Sequence, residues 1–138
     1  MDYALRSATA ADADRLAELE YELFPDNNFN EVTLCHEILQ GYTWVALVEG
    51  VTVGYTLCRM GNGRLLDILR LGVLSPFRRL GIASALLERA AHVTDHLMLT
   101  VRKGNDPAIA LYQKHGFHIT GSMPQHYSWV MQLRTTSA

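Results

Sequence analysis

The hydrophobic positions of this chain change period along its length, and the changes mark its elements. Residues 65–73 (LLDILRLGV) are mostly aliphatic, as in a strand covered on both faces. Ser75 and Pro76 break that run. From Leu80 the period lengthens, and Ile82, Leu86, Leu87 and Ala90 recur at helical spacing, predicting a helix to about His92. Upstream, Tyr3–Ala8 reads as a short strand. Thr9 stands three residues before Asp12 in a capping-box-like arrangement, and Leu16, Leu19 and Leu23 then recur at helical spacing up to Pro25. A polar loop over 25–30 leads to Asn30, which caps a second helix carrying Leu34, Cys35 and Ile38 and closed by Gly41. Tyr42–Val48 and Val51–Arg59 form a hairpin turning at Glu49-Gly50, and Gly61-Asn62-Gly63 leads into the 65–73 strand. Downstream lie a strand over His96–Arg102, a helix capped by Asp106 with Pro107 at its first position and ended by Gly116, and strands over Phe117–Met123 and Tyr127–Leu133. The tail, Arg134 to Ala138, is expected to fray. The order β-α-α-β-β-β-α-β-α-β-β predicts an α/β fold, a mixed sheet with helices on both faces.

Composition narrows the classes. A chain of 138 residues, 49% hydrophobic and 19% charged, suits one domain (1–138) with a real core. A formal net charge of −2 argues against wholesale nucleic-acid binding, which needs a basic footprint. The two cysteines, Cys35 and Cys58, make no disulfide framework, and a reduced, cytoplasmic compartment is the simpler expectation. No apolar run reaches membrane-spanning length and no signal-like apolar region opens the chain, so neither membrane nor export is expected. The six histidines include two close pairs, His92/His96 and His115/His118. Each spans a predicted helix end and no CxxC accompanies them, so no metal site is expected.

The turn after residue 73 carries the chemistry. A helix start leaves N–H groups unpaired and partly positive. Gly81 and Ala83 keep that turn free of bulk, so an anion can rest on the backbone, and Arg78 and Arg79 arrive at the same end. This is a phosphate cradle without a Walker lysine or a dinucleotide GxGxxG. The bland alternative is an ordinary βα unit with a basic surface turn.

Arg78-x-x-Gly81-x-Ala83, five residues after Val73, resembles the (Gln/Arg)-x-x-Gly-x-(Gly/Ala) signature of the GNAT N-acetyltransferase superfamily. Asn105-Asp-Pro-Ala-Ile-Ala-Leu-Tyr112-Gln-Lys-His-Gly116-Phe117 is similar to that family's Asn-x-x-Ala-x-x-Leu-Tyr-x-x-x-Gly-Phe segment. The resemblance spans nearly the whole chain. It implies a GNAT fold in which the strands ending at Val73 and starting at His96 are parallel neighbours that splay apart to receive the pantetheine arm. It implies acetyl-CoA as cosubstrate, held by Leu71, Gly72, Val73, Arg78, Arg79, Leu80, Gly81, Ile82, Ala83, Ser84 and Asn105. It implies that a backbone N–H within Leu71–Val73 faces the acetyl carbonyl and that Tyr112 protonates the departing sulfur. The alternative for Tyr112 is packing with a local hydrogen bond.

Phe24-Pro25, Gly54-Tyr55, the Arg78-Arg79 turn and the Leu111-Tyr112 pair are most similar to the ribosomal-protein alanine N-acetyltransferases. Members of that subfamily carry a glutamate base where this chain has Thr100, which cannot accept a proton, and an aromatic after the Phe-Pro pair whose nearest counterpart is Phe29. Asp67, six residues before Val73, stands where histone-type members of the superfamily carry their base. A carboxylate in an aliphatic strand is functional or paired, here with Arg64 or Arg70. His126 and Tyr127 lie where they can face an acceptor or simply meet solvent. An α-amine near pKa ~8 is easier to deprotonate than a lysine near ~10.4, which costs about 4–5 kcal/mol at pH 7. A weak base therefore favours a protein N-terminus as acceptor. Acetylation of a small amine or amino acid, and a non-catalytic acyl-CoA-binding module, are the alternatives. A monomer or homodimer is expected.

Overall fold

A computed structural model of the chain describes residues 2–135. The strands are β1 (Ala4–Ser7), β2 (Thr43–Val48), β3 (Val51–Met60), β4 (Leu65–Val73), β5 (His96–Arg102), β6 (His118–Met123) and β7 (Ser128–Arg134). The helices are α1 (Ala13–Leu23), α2 (Glu31–Leu39), α3 (Ile82–Ala91) and α4 (Asp106–Lys114). The strands join in one sheet ordered β1-β2-β3-β4-β5-β7-β6. Every neighbouring pair is antiparallel except β4 with β5.

Each face of the sheet carries its own core. On one, Leu66, Ile68, Leu97 and Leu99 meet Ile82, Leu86, Leu87 and Ala90 of α3, with Ala108, Ile109 and Tyr112 of α4 against them. On the other, Val45, Tyr55 and Leu57 meet Ala13, Leu16 and Leu19 of α1 and Leu34 and Ile38 of α2. Each such buried aliphatic side chain contributes about 1.5–3 kcal/mol, which is why both helical stripes decide the packing.

The parallel pair is short. β4 and β5 are in register only from Leu65↔His96 to Ile68↔Leu99. Beyond that point β5 follows β7, pairing Thr100↔Val130 and Arg102↔Ser128. β4 follows β3, and its register slips at Leu69, between the pairs Cys58↔Ile68 and Leu57↔Arg70. Such a bulge bends a strand and increases its twist, which helps carry β4 away from β5. The expected splay is present.

The local signals hold at most boundaries. Asn30 accepts the Thr33 N–H at 2.9 Å, and the Glu49-Gly50 turn has positive φ at both residues. Five expectations need correction. α1 begins at Ala13, not directly after Thr9, because a 3-10 turn over Ala10–Asp12 intervenes. Asp12 accepts the Thr9 N–H at 2.8 Å, and two hydrogen bonds from Arg6 hold its carboxyl below the usual range. α3 begins at Ile82, not Leu80, because Arg79 (φ 67°) and Gly81 (φ 86°) are left-handed and cannot continue a helix. Asn105, not Asp106, caps α4 and accepts the Ala108 N–H at 3.4 Å. Pro107 needs no N–H at the second helical position any more than at the first, so the helix starts one residue earlier. Finally, Arg134 belongs to β7, paired with His96, while Tyr127 precedes that strand at φ 48°. The rest of the expected frayed tail, 136–138, lies outside the described residues.

Candidate active site

The gap between β4 and β5 exposes main chain. Leu74 donates its N–H to the Val53 carbonyl at 2.9 Å, on the β3 side. Strand alternation therefore turns the N–H groups of Val73 and Leu71 toward the open side. Gly72 between them faces the other core, where an added Cβ would lie 2.8 Å from Leu23 Cδ1 and 3.5 Å from a Phe24 ring carbon. The end of α1 thus packs closely over this part of β4, and a larger residue here would displace the Leu23 side chain.

Beside the gap is a recess of about 250 Å³ lined by Val73, Phe77, Arg78, Arg79, Gly81, Ile82, Ala83, Ser84 and Leu111. Most residues expected at the cradle meet there. Leu71, Gly72, Leu80 and Asn105 do not line it. Phe77 and Leu111 were not anticipated, although Leu111 precedes Tyr112 on the same helix. The first intrahelical bond of α3 runs from the Ala85 N–H to the Gly81 carbonyl, at 3.0 Å. The N–H groups of Ile82, Ala83 and Ser84 therefore have no partner within the helix. Arg78 folds back and donates from Nε to the Val73 carbonyl at 3.0 Å, stapling the turn. Gly81 is needed for its backbone rather than for space. Its Cβ would find only the Tyr3 hydroxyl, at 3.9 Å, whereas its left-handed φ strains any other side chain by about 1–3 kcal/mol.

Tyr112 packs against the core beneath α3 and α4, its ring centroid 6.0 Å from that of Phe117. Burial pushes its hydroxyl up to about 12. His115, one turn on, places Nε2 3.0 Å from Ser84 Oγ and ties α4 to the start of α3.

Asp67 lies on the opposite face. It stands across from Arg59, whose Nη2 is 2.6 Å from a Glu37 oxygen on α2. The alternative pairing with Arg64 or Arg70 does not occur. Arg64 donates to the Val93 carbonyl at 2.8 Å, and Arg70 is engaged by Glu20. Half-burial raises the Asp67 carboxyl, and the Arg59 charge opposes this more weakly. Asp67 pairs with Met98, and strand alternation puts exposed Thr100 on the same face.

Glu20 went unrecognised in the sequence. It is fully buried and is bound by Arg70, Tyr55 and the Phe29 N–H. A signal was present, since Leu16, Leu19, Glu20 and Leu23 form one helical stripe with a carboxylate in it. The close histidine pairs hold separate posts: His96 Nε2 is 2.7 Å from Gln132 Oε1, and His92 Nδ1 is 2.7 Å from the Glu88 carbonyl. Among the described residues no three His, Cys, Asp or Glu side chains converge, and no helix is long and apolar enough to cross a membrane.

Known proteins are similar to this chain in sequence and in fold. An N-alpha-acetyltransferase of Sulfolobus acidocaldarius is 29% identical, over 93% of this chain and 87% of its own. The probable N-acetyltransferase san of Drosophila melanogaster is 31% identical, over 89% of this chain and 72% of its own. Arabidopsis thaliana Naa50, solved in complex with the bisubstrate analogue CoA-Ac-MVNAL, superposes with a TM-score of 0.86 at 27% identity, covering 96% of this chain and 98% of that one. The ribosomal-protein-S18-alanine N-acetyltransferase of Escherichia coli shares the fold, with a TM-score of 0.81 at 20% identity over 99% and 96% of the two chains. The acetyltransferase (GNAT) family model matches residues 8–117, the span that contains the splayed strands, the arginine turn and the Tyr112 helix. The chain therefore belongs to the acetyltransferase (GNAT) family, as an N-acetyltransferase whose acetyl donor is acetyl-CoA.

Proposed function

We propose that this enzyme acetylates the α-amine of protein N-termini. The observation that carries the reading is that the β4–β5 gap opens to two faces with different chemistry. The α3/α4 face offers unpaired amides, two arginines and Tyr112. The α1/α2 face offers Asp67 and an uncovered strand, β5. Donor and acceptor then reach the gap from opposite sides. The diphosphate of CoA rests on the Ile82, Ala83 and Ser84 amides, with Arg79 and Arg78 adding charge. Leu80 and Asn105 act indirectly, one packing the turn and the other starting α4, from which Leu111 lines the recess. The free N–H groups of Leu71 and Val73 receive the acetyl carbonyl, and the negative charge that develops on it is stabilised by such a donor.

In the transfer, the amine nitrogen forms a bond to the thioester carbon and the carbon–sulfur bond breaks. The proton shed by the amine leaves toward Asp67. Four residues at ~3.3 Å each separate Asp67 from Leu71, about 13 Å, so the proton travels through water. Tyr112 stabilises the departing sulfur. A hydroxyl near 12 keeps its proton, and giving it fully to a thiolate of pKa ~8.5 is uphill by about 3.5 pK units, so its role is a hydrogen bond. Tyr112→Phe should lower turnover about 10- to 10²-fold, the loss of one charge-assisted hydrogen bond, with CoA affinity and melting temperature kept. Unchanged turnover would remove Tyr112 from the mechanism.

An α-amine suits this site, since Asp67 is raised but remains a weak base, and a lysine amine starts about 2.4 pK units further away. The ribosomal-protein alanine type is the narrower reading. Phe24-Pro25 favours it, and Thr100 in place of a glutamate weighs against it. Turnover of acetyl-CoA against N-terminal peptides with varied first residues, free lysine, amino acids and small amines tests the assignment. Peptide α-amines are expected to react fastest. Preference for small amines would replace the reading, and turnover of none would leave an acyl-CoA-binding module.

A further inference from the structure

The corner between α1 and α2, residues 24–30, forms one wall of the face where the acceptor is placed. It contains no helix or strand, so its shape must come from elsewhere. A single side chain of β4 supplies most of it. Arg70 donates from Nε to Glu20 at 3.1 and 3.3 Å and from Nη2 to the Asn27 carbonyl. Its guanidinium carbon lies 4.3 Å from the Phe24 ring centre and 4.4 Å from that of Phe29, so it is sandwiched between the two ends of the corner. Glu20 completes the device from below, accepting the Phe29 N–H at 2.8 Å and the Tyr55 hydroxyl.

The position of Arg70 matters more than its charge. It sits at the β4 bulge, within the five residues that have left β5, next to Leu71. Gly72, on the same face, lies under Leu23 and Phe24, which a Cβ there would meet at 2.8 and 3.5 Å. The corner is therefore locked to the strand segment whose free amides edge the gap. An arrangement that served stability alone would not need ions, because a buried ion pair is often replaceable by apolar side chains without loss. The geometry points to Arg70 and Glu20 as positioning residues that hold the 24–30 corner in register with the β4 amides, and so set the affinity for the acceptor without touching acetyl-CoA. This rests on the reading of the Asp67 face as the acceptor side.

The double variant Glu20→Leu, Arg70→Met tests it, with Arg70→Lys as the conservative control. The double variant is expected to fold, since neither charge is left alone. Its KM for the best peptide acceptor should rise about 10- to 10²-fold, while the Kd for acetyl-CoA by calorimetry stays within about twofold. Amide hydrogen exchange over 24–30 should accelerate at least about tenfold and stay unchanged in α3 and α4. Arg70→Lys keeps the charge but loses the planar sandwich and should fall between. A folded double variant with wild-type KM and wild-type exchange in the corner would overturn the proposal, as would an equal loss of acetyl-CoA affinity. If the wild-type enzyme turns over no peptide, the acceptor assignment fails by itself, and exchange over 24–30 then decides whether the corner is clamped.

Discussion

Asp67→Asn is expected to reduce turnover roughly 10²- to 10⁴-fold, the usual consequence of losing a general base. The substitution keeps the shape and removes only the ability to accept a proton. Asp67 is half-buried, its ionised form is disfavoured by lost solvation, and Arg59 answers that cost only in part because Glu37 already holds it. The same imbalance makes a second, opposite prediction for stability. A carboxyl whose folded value is raised stabilises the fold only while protonated, below its unfolded value, and that contribution is lost as pH rises through the raised value. At neutral pH the wild-type protein therefore carries a charge penalty that Asn lacks. The variant should melt higher than wild type at pH 7, and the difference should vanish below the ordinary aspartate range near ~3.9. A slower but more stable enzyme is what a base held for chemistry leaves behind. Because Thr100 shares the face, adding Thr100→Glu to the variant should return part of the lost turnover. Full activity of folded Asp67→Asn from about pH 6 to about pH 9 would eliminate Asp67 as the base and leave water, or the low pKa of the α-amine, to account for deprotonation.

Arg70→Ala is expected to destabilise the protein by about 3–5 kcal/mol, since it strands a buried carboxylate. Glu20 is inaccessible to solvent, and its side-chain partner of opposite charge is Arg70. The flat guanidinium also fills the space between Phe24 and Phe29, and Ala leaves both rings without that packing. Domains of this size have a total stability of about 5–15 kcal/mol, so the loss takes a large fraction of it. Glu18→Ala provides the contrast. Glu18 is paired with Arg15 at 3.8 Å in an exposed ion pair, and its removal should cost under about 1 kcal/mol. Urea unfolding of the two variants measures both. A cost for Arg70→Ala as small as that for Glu18→Ala would mean that Glu20 is reached by water or another donor once Arg70 is gone.

Local signals in the chain were enough to define most of the elements and the turn between β4 and α3. The change of period around Ser75-Pro76, the Asn30 cap, the Glu49-Gly50 turn and the stripe of Ile82, Leu86, Leu87 and Ala90 all act within one or two turns of backbone. They read directly because propensity, capping and turn geometry are short-range. The arginine turn belongs with them, since both arginines and the helix start lie within a few residues. What the chain did not show is long-range. Asp67 has three arginines near it in sequence or register, Arg59, Arg64 and Arg70, and only the packed sheet shows that Arg59 faces it while Arg70 reaches back 50 residues to Glu20. The starts of α3 and α4 moved because left-handed Arg79 and the Asn105 cap depend on exact dihedrals. The splay was anticipated by resemblance, but its limit at Ile68 and Leu99 was decided by where the β4–β5 pairing ends, and the common face of Asp67 and Thr100 by the pairing of Asp67 with Met98. Periodicity assigns each residue to one of two faces of its own strand. Only strand pairing, a property of the folded sheet, decides which faces coincide and which charges meet.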